Sequence, residues 1–328
     1  MLNVSLSGAS RGWGRWARRA APLLLGALCS LSTAGCLKKL IFDGQVASTR
    51  KGADAVNTLS DYEVANVIAF AGLGQFEGMH FLGPYNEDAL FMLVKGWAGA
   101  GFGFIEDKME QAADAYGEES ELAEYHKARA IAAYDRATFY GVKLLEMQHP
   151  GFEAAKKGGI DGMRAWLAEF VDAEKDTPIL FWVGQAWLSK VNLLKDQPSQ
   201  VAELFVGVAL AERAVELDET YLYGSGHVVL GAYHARSGMA ELDEAKKHFE
   251  RASELNGGKA LLGKFQYAAR YLCARPEKTA ADKEEYVKLL TEVVEAGDTL
   301  PEQRLQNVIA KRKARRALGK ARMDDCGF

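Results

Sequence analysis

The chain has 328 residues, 48% of them hydrophobic and 26% charged, with a formal net charge of −4. This is the make-up of an ordinary soluble globular protein with ample material for a core, and its mildly acidic balance gives no reason to expect a nucleic-acid partner. Alanine, leucine, glutamate and lysine dominate, only seven prolines occur, and runs of β-branched residues alternating with polar ones are almost missing, so the expected fold class is all-α.

The first element in chain order is a leader. RGWGRWARR at 11–19 carries four arginines and no acid, and the apolar APLLLGALCSLS and small residues ending in STAGC follow it, the layout of an export signal. The apolar run is shorter than the roughly 20 residues that a membrane-spanning helix needs. Thr33-Ala34-Gly35-Cys36 resembles a bacterial lipobox, although Thr33 stands where leucine is usual. The expectation is therefore a signal peptide over 1–35 and acylation of Cys36, which attaches the mature chain to a membrane through lipid alone. Loss of residues 1–35 removes four arginines and moves the formal charge from −4 to −8. Cys29 leaves with the leader and Cys36 is acylated, so Cys273 and Cys326 remain; export permits a bridge between them, and the sequence leaves that bridge open.

Residues 36–59 read as a tether, partly extended and locally basic. Residues 60–328 read as one helical body with helices near 60–77, 87–114, 119–147, 160–174, 178–195, 198–217, 220–237, 241–255, 258–274, 279–296 and 301–320. Breakers separate them, among them GPYN at 83–86, HPGF at 149–152, DTP at 176–178, DQPS at 196–199, NGG at 256–258 and GDTLP at 297–301.

LDEAKKHFERASEL at 242–255 places Leu242, Ala245, Phe249, Ala252 and Leu255 on one side of a helix. In HVVLGAYHARSG, just before it, Leu230 and Gly231 stand where a tetratricopeptide repeat has its Leu-Gly pair, and Ala245, Phe249 and Ala252 then fit that repeat's second helix. Small residues let paired helices approach while the aromatic fills the gap. Looser versions occur at Ala130, Tyr134 and Ala137 and at Gly207, Ala211 and Ala214. The expected architecture is a tetratricopeptide-like helix-hairpin solenoid.

Motifs for catalysis are poor. Gly258, Gly263 and Lys264 fit a phosphate loop, but Phe265 replaces its hydroxyl residue and no strand precedes it. Gly96, Gly99, Gly101 and Gly103 lie inside a helical run and imply that something presses on them: close helix contact, or a ligand tail or another subunit. None of the six histidines has a zinc spacing, so no metal or cofactor is expected. Ser225 in YGSGH lacks a nucleophile elbow's first glycine and reads as a turn or helix start. No nucleophile, base and orienting group can be assembled, and the chain reads as a non-enzyme. The aromatics are more suggestive: Trp182, Trp187, Tyr221 and Tyr223 form a candidate ligand or partner surface, against the alternative that they pack repeat interfaces. AKRKARRALGKAR at 310–322 is a basic amphipathic helix, read as a solvated face or as one that meets an acidic partner or lipid headgroups.

Several stretches together, EDALFMLVKGWAGAGFGFIED, ARAIAAYDRATFYGVKLL, WVGQAWL, ERAVELDETYLYGSGHVVLGAY, AKKHFERASEL and LQNVIAKRKARRAL, resemble the TatT component of TRAP-type transporter systems, from about residue 85 to the end. The resemblance implies a periplasmic lipoprotein of helix hairpins, on the outer rather than the inner membrane, that binds the substrate-binding receptor of a TRAP transporter. It also implies handover of a small hydrophobic organic ligand and homo-oligomers around a central pore. Gln185 stands where related sequences often have asparagine, and no binding residue carries over one by one. The alternative expectation is a scaffold lipoprotein for cell-envelope assembly.

Overall fold

The computed structural model describes residues 37–236 and 240–328. Leader and acylation site, 1–36, lie outside the described residues. The chain divides into two units, Met1–Lys51 and Gly52–Phe328. In the first, residues up to Lys51 belong to a helix that starts at 37, so the partly extended tether read from the sequence is corrected to helix. Nothing in LKKLIFDGQVASTR breaks one; proline is lacking and Lys39 pairs with Asp43 one turn on, at 2.9 Å.

The second unit is built from α-helices, with no strand among the described residues. Apart from a four-residue turn of helix at Pro198–Val201, they are α1 Tyr62–Leu82, α2 Glu87–Tyr116, α3 Glu121–Gln148, α4 Phe152–Lys157, α5 Gly159–Leu167, α6 Ala173–Leu193 and α7 Leu204–Leu217. After these come α8 Ser225–His234, α9 Leu242–Asn256, α10 Leu261–Gln266, α11 Ala280–Glu295, α12 Arg304–Ala317 and α13 Lys320–Cys326. Starts are set by side-chain caps: Asp61 accepts from the amides of Glu63 and Val64, Asn86 from Ala89, Ser120 from Ala123, and Thr279 with Asp282 forms a capping box. Such a cap is worth about 1 kcal/mol. Several sequence boundaries move: the helix expected over 160–174 is divided between α5 and the start of α6, with α4 ahead of them, and that over 301–320 between α12 and α13. The break expected at 176–178 is absent, because Asp172 caps α6 ahead of Pro178 and the helix runs through it.

Short connections make successive helices antiparallel neighbours. α1 packs on α2, α2 on α3, α3 on α6, α6 on α7, α7 on α8, α8 on α9, and α10 and α11 pack on α12. Glycines set how closely several pairs approach. A Cβ on Gly231 of α8 would stand 3.0 Å from the Phe249 ring of α9, where Ala245 and Ala252 are fully buried and Leu230 is 2% exposed. Gly101 of α2 gives room to the Tyr134 ring of α3, and Gly103 to Ile309 of α12. The glycines of GWAGAGFGF are thus pressed by side chains of the same chain at Gly96, Gly101 and Gly103, while Gly99 has open space. α2 is long and apolar enough to cross a membrane, but two-thirds of its apolar window is buried inside the protein.

Cys273 and Cys326 form a disulfide with a Cα separation of 4.9 Å, tying the end of α13 to the segment after α10. The ring of Tyr286 is buried beneath it and donates to the Ala317 carbonyl at 2.9 Å.

Candidate functional site

Of the four aromatics read as one surface, the structure brings two together. Trp182 Nε1 donates to the Tyr221 hydroxyl at 3.2 Å, and Phe181 meets both rings edge-on, at 5.1 and 5.5 Å between centroids. Trp187 lies five positions along α6, about 140° round the helix. Its ring packs instead on Phe152 at 5.9 Å, beneath the Lys156 ammonium, and is buried. Tyr223 sits apart. Its hydroxyl donates to Glu302 at 3.3 Å and its carbonyl accepts from Asn256 Nδ2 at 3.1 Å. Burial and the Glu302 carboxylate raise that hydroxyl's pKa. Leu222 and Tyr223 hold left-handed φ of 46° and 61°, a conformation that costs non-glycine residues roughly 1–2 kcal/mol each.

Trp182, Gln185 and Ser189 recur at i, i+3 and i+7 and share one face of α6. Gln185 Nε2 donates to Ser189 Oγ at 3.1 Å, and on α3 the Tyr134 hydroxyl donates to Glu106 of α2. Gln185 has spare capacity, since its Oε1 is buried and accepts no hydrogen bond. The Glu106 carboxyl is buried, directly after a π-helical turn at Gly101–Ile105 that adds a residue to the helical period. Burial raises the pKa of Glu106 against the pull of Lys313, of the Tyr134 hydroxyl and of the exposed Arg270. Burial and the neighbouring Glu106 carboxyl hold the Tyr134 hydroxyl well above its ordinary value. One helix face therefore offers aromatic surface at Trp182 and Tyr221 and, one turn on, a hydrogen-bond acceptor and hydroxyls, which suits a ligand with an apolar part and a polar group.

Sequence reasoning missed a second charged assembly. Asp107, Glu110 and Asp114 line one face of α2 and meet the basic face of α12 and α13, which corrects the reading of AKRKARRALGKAR as a solvated or partner-seeking face. Arg312 donates to Asp107 at 2.9 Å and Lys313 to Glu110 at 2.6 Å; Arg316 reaches Asp107 at 2.6 Å and also bonds Glu110, and Arg322 pairs with Asp114 at 2.6 Å. Lys313 is only 3% exposed. Burial works to raise the Glu110 carboxyl, but Lys313 and Arg316 outweigh it and bring its pKa to about 2; Asp107 is lowered likewise by Arg312 and Arg316. The matching spacings of acids in EDKMEQAAD and bases in RKARR were the available signal.

The histidines hold one another. The Nδ1 atoms of His227 and His248 lie 2.8 Å apart, His227 Nε2 faces Glu219 at 3.2 Å, and the His234 ring stacks on His248. Burial, then the charges of His227 and His234, depress His248 to about 4. Among the described residues no cluster of His, Cys, Asp and Glu is arranged to hold a metal. Ser225 is the first residue of α8, its hydroxyl donating to the Leu222 carbonyl at 2.7 Å, and the Lys264 ammonium pairs with Glu292 at 2.7 Å.

Comparison with known families matches residues 59–324 to the TRAP transporter T-component family. The match covers most of the chain, and the protein belongs to that family: it is an accessory component of TRAP transporters. No curated protein matches the chain.

Proposed function

We propose that this T-component, acylated at Cys36 and held at the periplasmic side of the outer membrane, binds the substrate-binding receptor of its TRAP transporter and passes it a small organic ligand with a hydrophobic part. Membership of the family over residues 59–324 carries the transport reading. The Ala34-Gly35-Cys36 sequence after an export-type leader supports the anchor. Its helices work as a tetratricopeptide-like array that offers a receptor an extended surface, and acyl chains confine that surface near the membrane, raising the local concentration of its partner. The chain acts as a homo-oligomer and needs no cofactor.

For the ligand, the supporting observation is the α6 face on which Trp182, bonded to Tyr221, is followed by Gln185 with its unused acceptor. The receptor encoded beside this chain should be retained by the immobilised full chain in detergent, and receptor recovered no better than an unrelated periplasmic protein rejects the reading. Lipid extracted from purified receptor–chain mixtures, followed by mass spectrometry, should reveal a small molecule whose retention drops at least tenfold in Trp182→Ala and is unchanged in Tyr223→Phe.

A further inference from the structure

A cluster of titratable side chains that the transport reading does not use lies between α8 and α9. His227 and His234 stand two turns apart on α8, and both rings meet His248 of α9. The Nδ1 atoms of His227 and His248 are within hydrogen-bond distance at 2.8 Å, and the His234 ring lies 8° from parallel to His248 with centroids 5.4 Å apart. His227 is buried. The outer nitrogens are committed, His227 Nε2 to Glu219 at 3.2 Å and His234 Nδ1 to Glu241 at 2.7 Å. Hydrogen bonds from Arg251 and His227 hold the Glu219 carboxyl down at about 2, so it is an ionised acceptor and His227 Nε2 carries a proton.

These positions limit how many protons the pair can hold. The gap between the two Nδ1 atoms needs one N–H and one lone pair. It has them when both rings are neutral, with His248 donating to His227, and it still has them after one proton is added, His248 changing tautomer where that proton goes to His227. A second added proton puts an N–H on both Nδ1 atoms, so that two donors and two cations face each other. The nearby carboxylates already have partners: Glu219 pairs with Arg251 at 2.5 Å, Glu244 with Lys247 at 2.6 Å, and Glu241 with His234 and, at 3.9 Å, Arg236. Charges on the other packed helices are spent elsewhere. On α7, Glu212 receives Arg164 and Arg213 donates to the Phe170 carbonyl; Lys190 of α6 pairs with Asp135, and Lys264 of α10 with Glu292. After α10, Arg275 pairs with Asp282, while the neutral phenols of Tyr267 and Tyr271 pack towards Phe249.

We infer that the three histidines are an acid-released latch: a second proton entering the His227–His248 pair parts α8 from α9 and frees the turn Tyr221–Tyr223, which packs on both helices. The turn is tied down through the same elements. Glu219, two residues ahead of Tyr221, receives Arg251 of α9, and Asn256 at the end of α9 donates to the Tyr223 carbonyl at 3.1 Å. Trp182 donates to the Tyr221 hydroxyl, so acid reaches the aromatic face of α6 through the latch. Burial, then His227 and His234, bring His248 to about 4 from an ordinary 6.5. A histidine depressed in this way stabilises the closed hairpin fully above about 6.5, and the stabilisation is lost as the pH falls towards 4. From about pH 7.5 to about pH 5 the opening constant of the hairpin therefore rises about thirtyfold.

Hydrogen exchange of the full chain in detergent, corrected for the intrinsic pH dependence of amide exchange, reads the opening constant segment by segment. Peptides from α8, α9 and the Tyr221–Tyr223 turn should lose about thirtyfold in protection between about pH 7.5 and about pH 5, while peptides from α3 keep theirs. His248→Gln retains a donor for His227 Nδ1 and takes no proton, so its hairpin should show flat protection over that range. A wild-type hairpin with flat protection, an equal loss in wild type and variant, or a loss that α3 shares overturns the latch. Nitrogen NMR of histidine-labelled wild type gives a second reading that needs no substitution. His248 should stay neutral down to about pH 5, and three histidines that take up protons together near about pH 6.5 refute the inference.

Discussion

Arg312 of α12 donates to Asp107 of α2 at 2.9 Å although 205 residues separate them in the chain. One helix turn along, Lys313 and Arg316 repeat the contact with Glu110, so the last long helix runs parallel to the second and is fastened to it by charge. The two helices approach through long side chains, with Ile309 filling the gap at Gly103. This seam joins sequence-distant parts of the second unit, which sequential hairpin packing alone leaves unconnected.

Breaking the seam on one side strands buried charge. Arg316→Leu leaves Asp107 and Glu110 each short of a partner, and the expected loss is about 3–5 kcal/mol in urea unfolding. The cost lies in the uncompensated carboxylates, so removing both sides of one contact is milder. Glu110→Leu combined with Lys313→Leu should fall short of the sum of the single losses by at least about 1 kcal/mol. Strict additivity in that cycle shows that Glu110 and Lys313 do not interact in solution.

Glu106 titrates in the opposite sense to Glu110. A carboxyl whose pKa is raised on folding favours the folded state fully below its unfolded value of 4.5, and that contribution is lost as the pH rises through the folded value. Glu106→Gln keeps an acceptor for the Tyr134 hydroxyl and removes the titration. Relative to the wild type, the variant should therefore gain stability between about pH 4 and about pH 8, read from guanidinium midpoints at the two ends. A difference that does not vary with pH means that Glu106 is not buried as described.

Much of this was legible in the sequence. Breakers such as GPYN at 83–86 and NGG at 256–258 and apolar steps of three and four located many of the helices, because both signals are local. Pro178 misled: it stands at the sixth position of α6, where it removes one backbone hydrogen bond without ending the helix that Asp172 caps. The site was half legible. Trp182, Trp187, Tyr221 and Tyr223 were grouped as one surface; Trp182 and Tyr221 meet, while Trp187 lies five residues along α6, which turns its side chain to another face. Asp107 and Arg316 could not be paired in advance, because complementary spacings state which helices are able to dock and leave open which do. The extended reading of residues 36–59 failed for a different reason: an irregular apolar pattern argues against one buried face, not against a helix.

The bridge between Cys273 and Cys326 closes a loop across 53 positions. By chain entropy such a closure destabilises the unfolded state by about 4 kcal/mol. Reductant should lower the thermal midpoint of the wild type markedly and leave that of Cys326→Ser, already lowered, where it is. The protein isolated from an oxidising compartment should yield no thiol from either residue under denaturing conditions, and two reactive thiols there disprove the bridge.

Two glycine-to-alanine substitutions in core helices should move stability in opposite directions. At Gly141 of α3 the new methyl would lie 2.4 Å from Val183 Cγ2, and Val183 is fully buried on α6. A β-branched side chain has no second rotamer to retreat to without disturbing its neighbours, so α3 and α6 must part. Overpacking of this kind costs about 1–3 kcal/mol, more than the helix propensity that alanine adds. At Gly99 of α2 a Cβ meets nothing within 4 Å, and Gly99→Ala should raise stability by up to about 1 kcal/mol. Urea midpoints of the two variants, taken with equal m-values, decide the matter. If Gly141→Ala is neutral, α3 and α6 do not approach as closely as the Val183 contact requires.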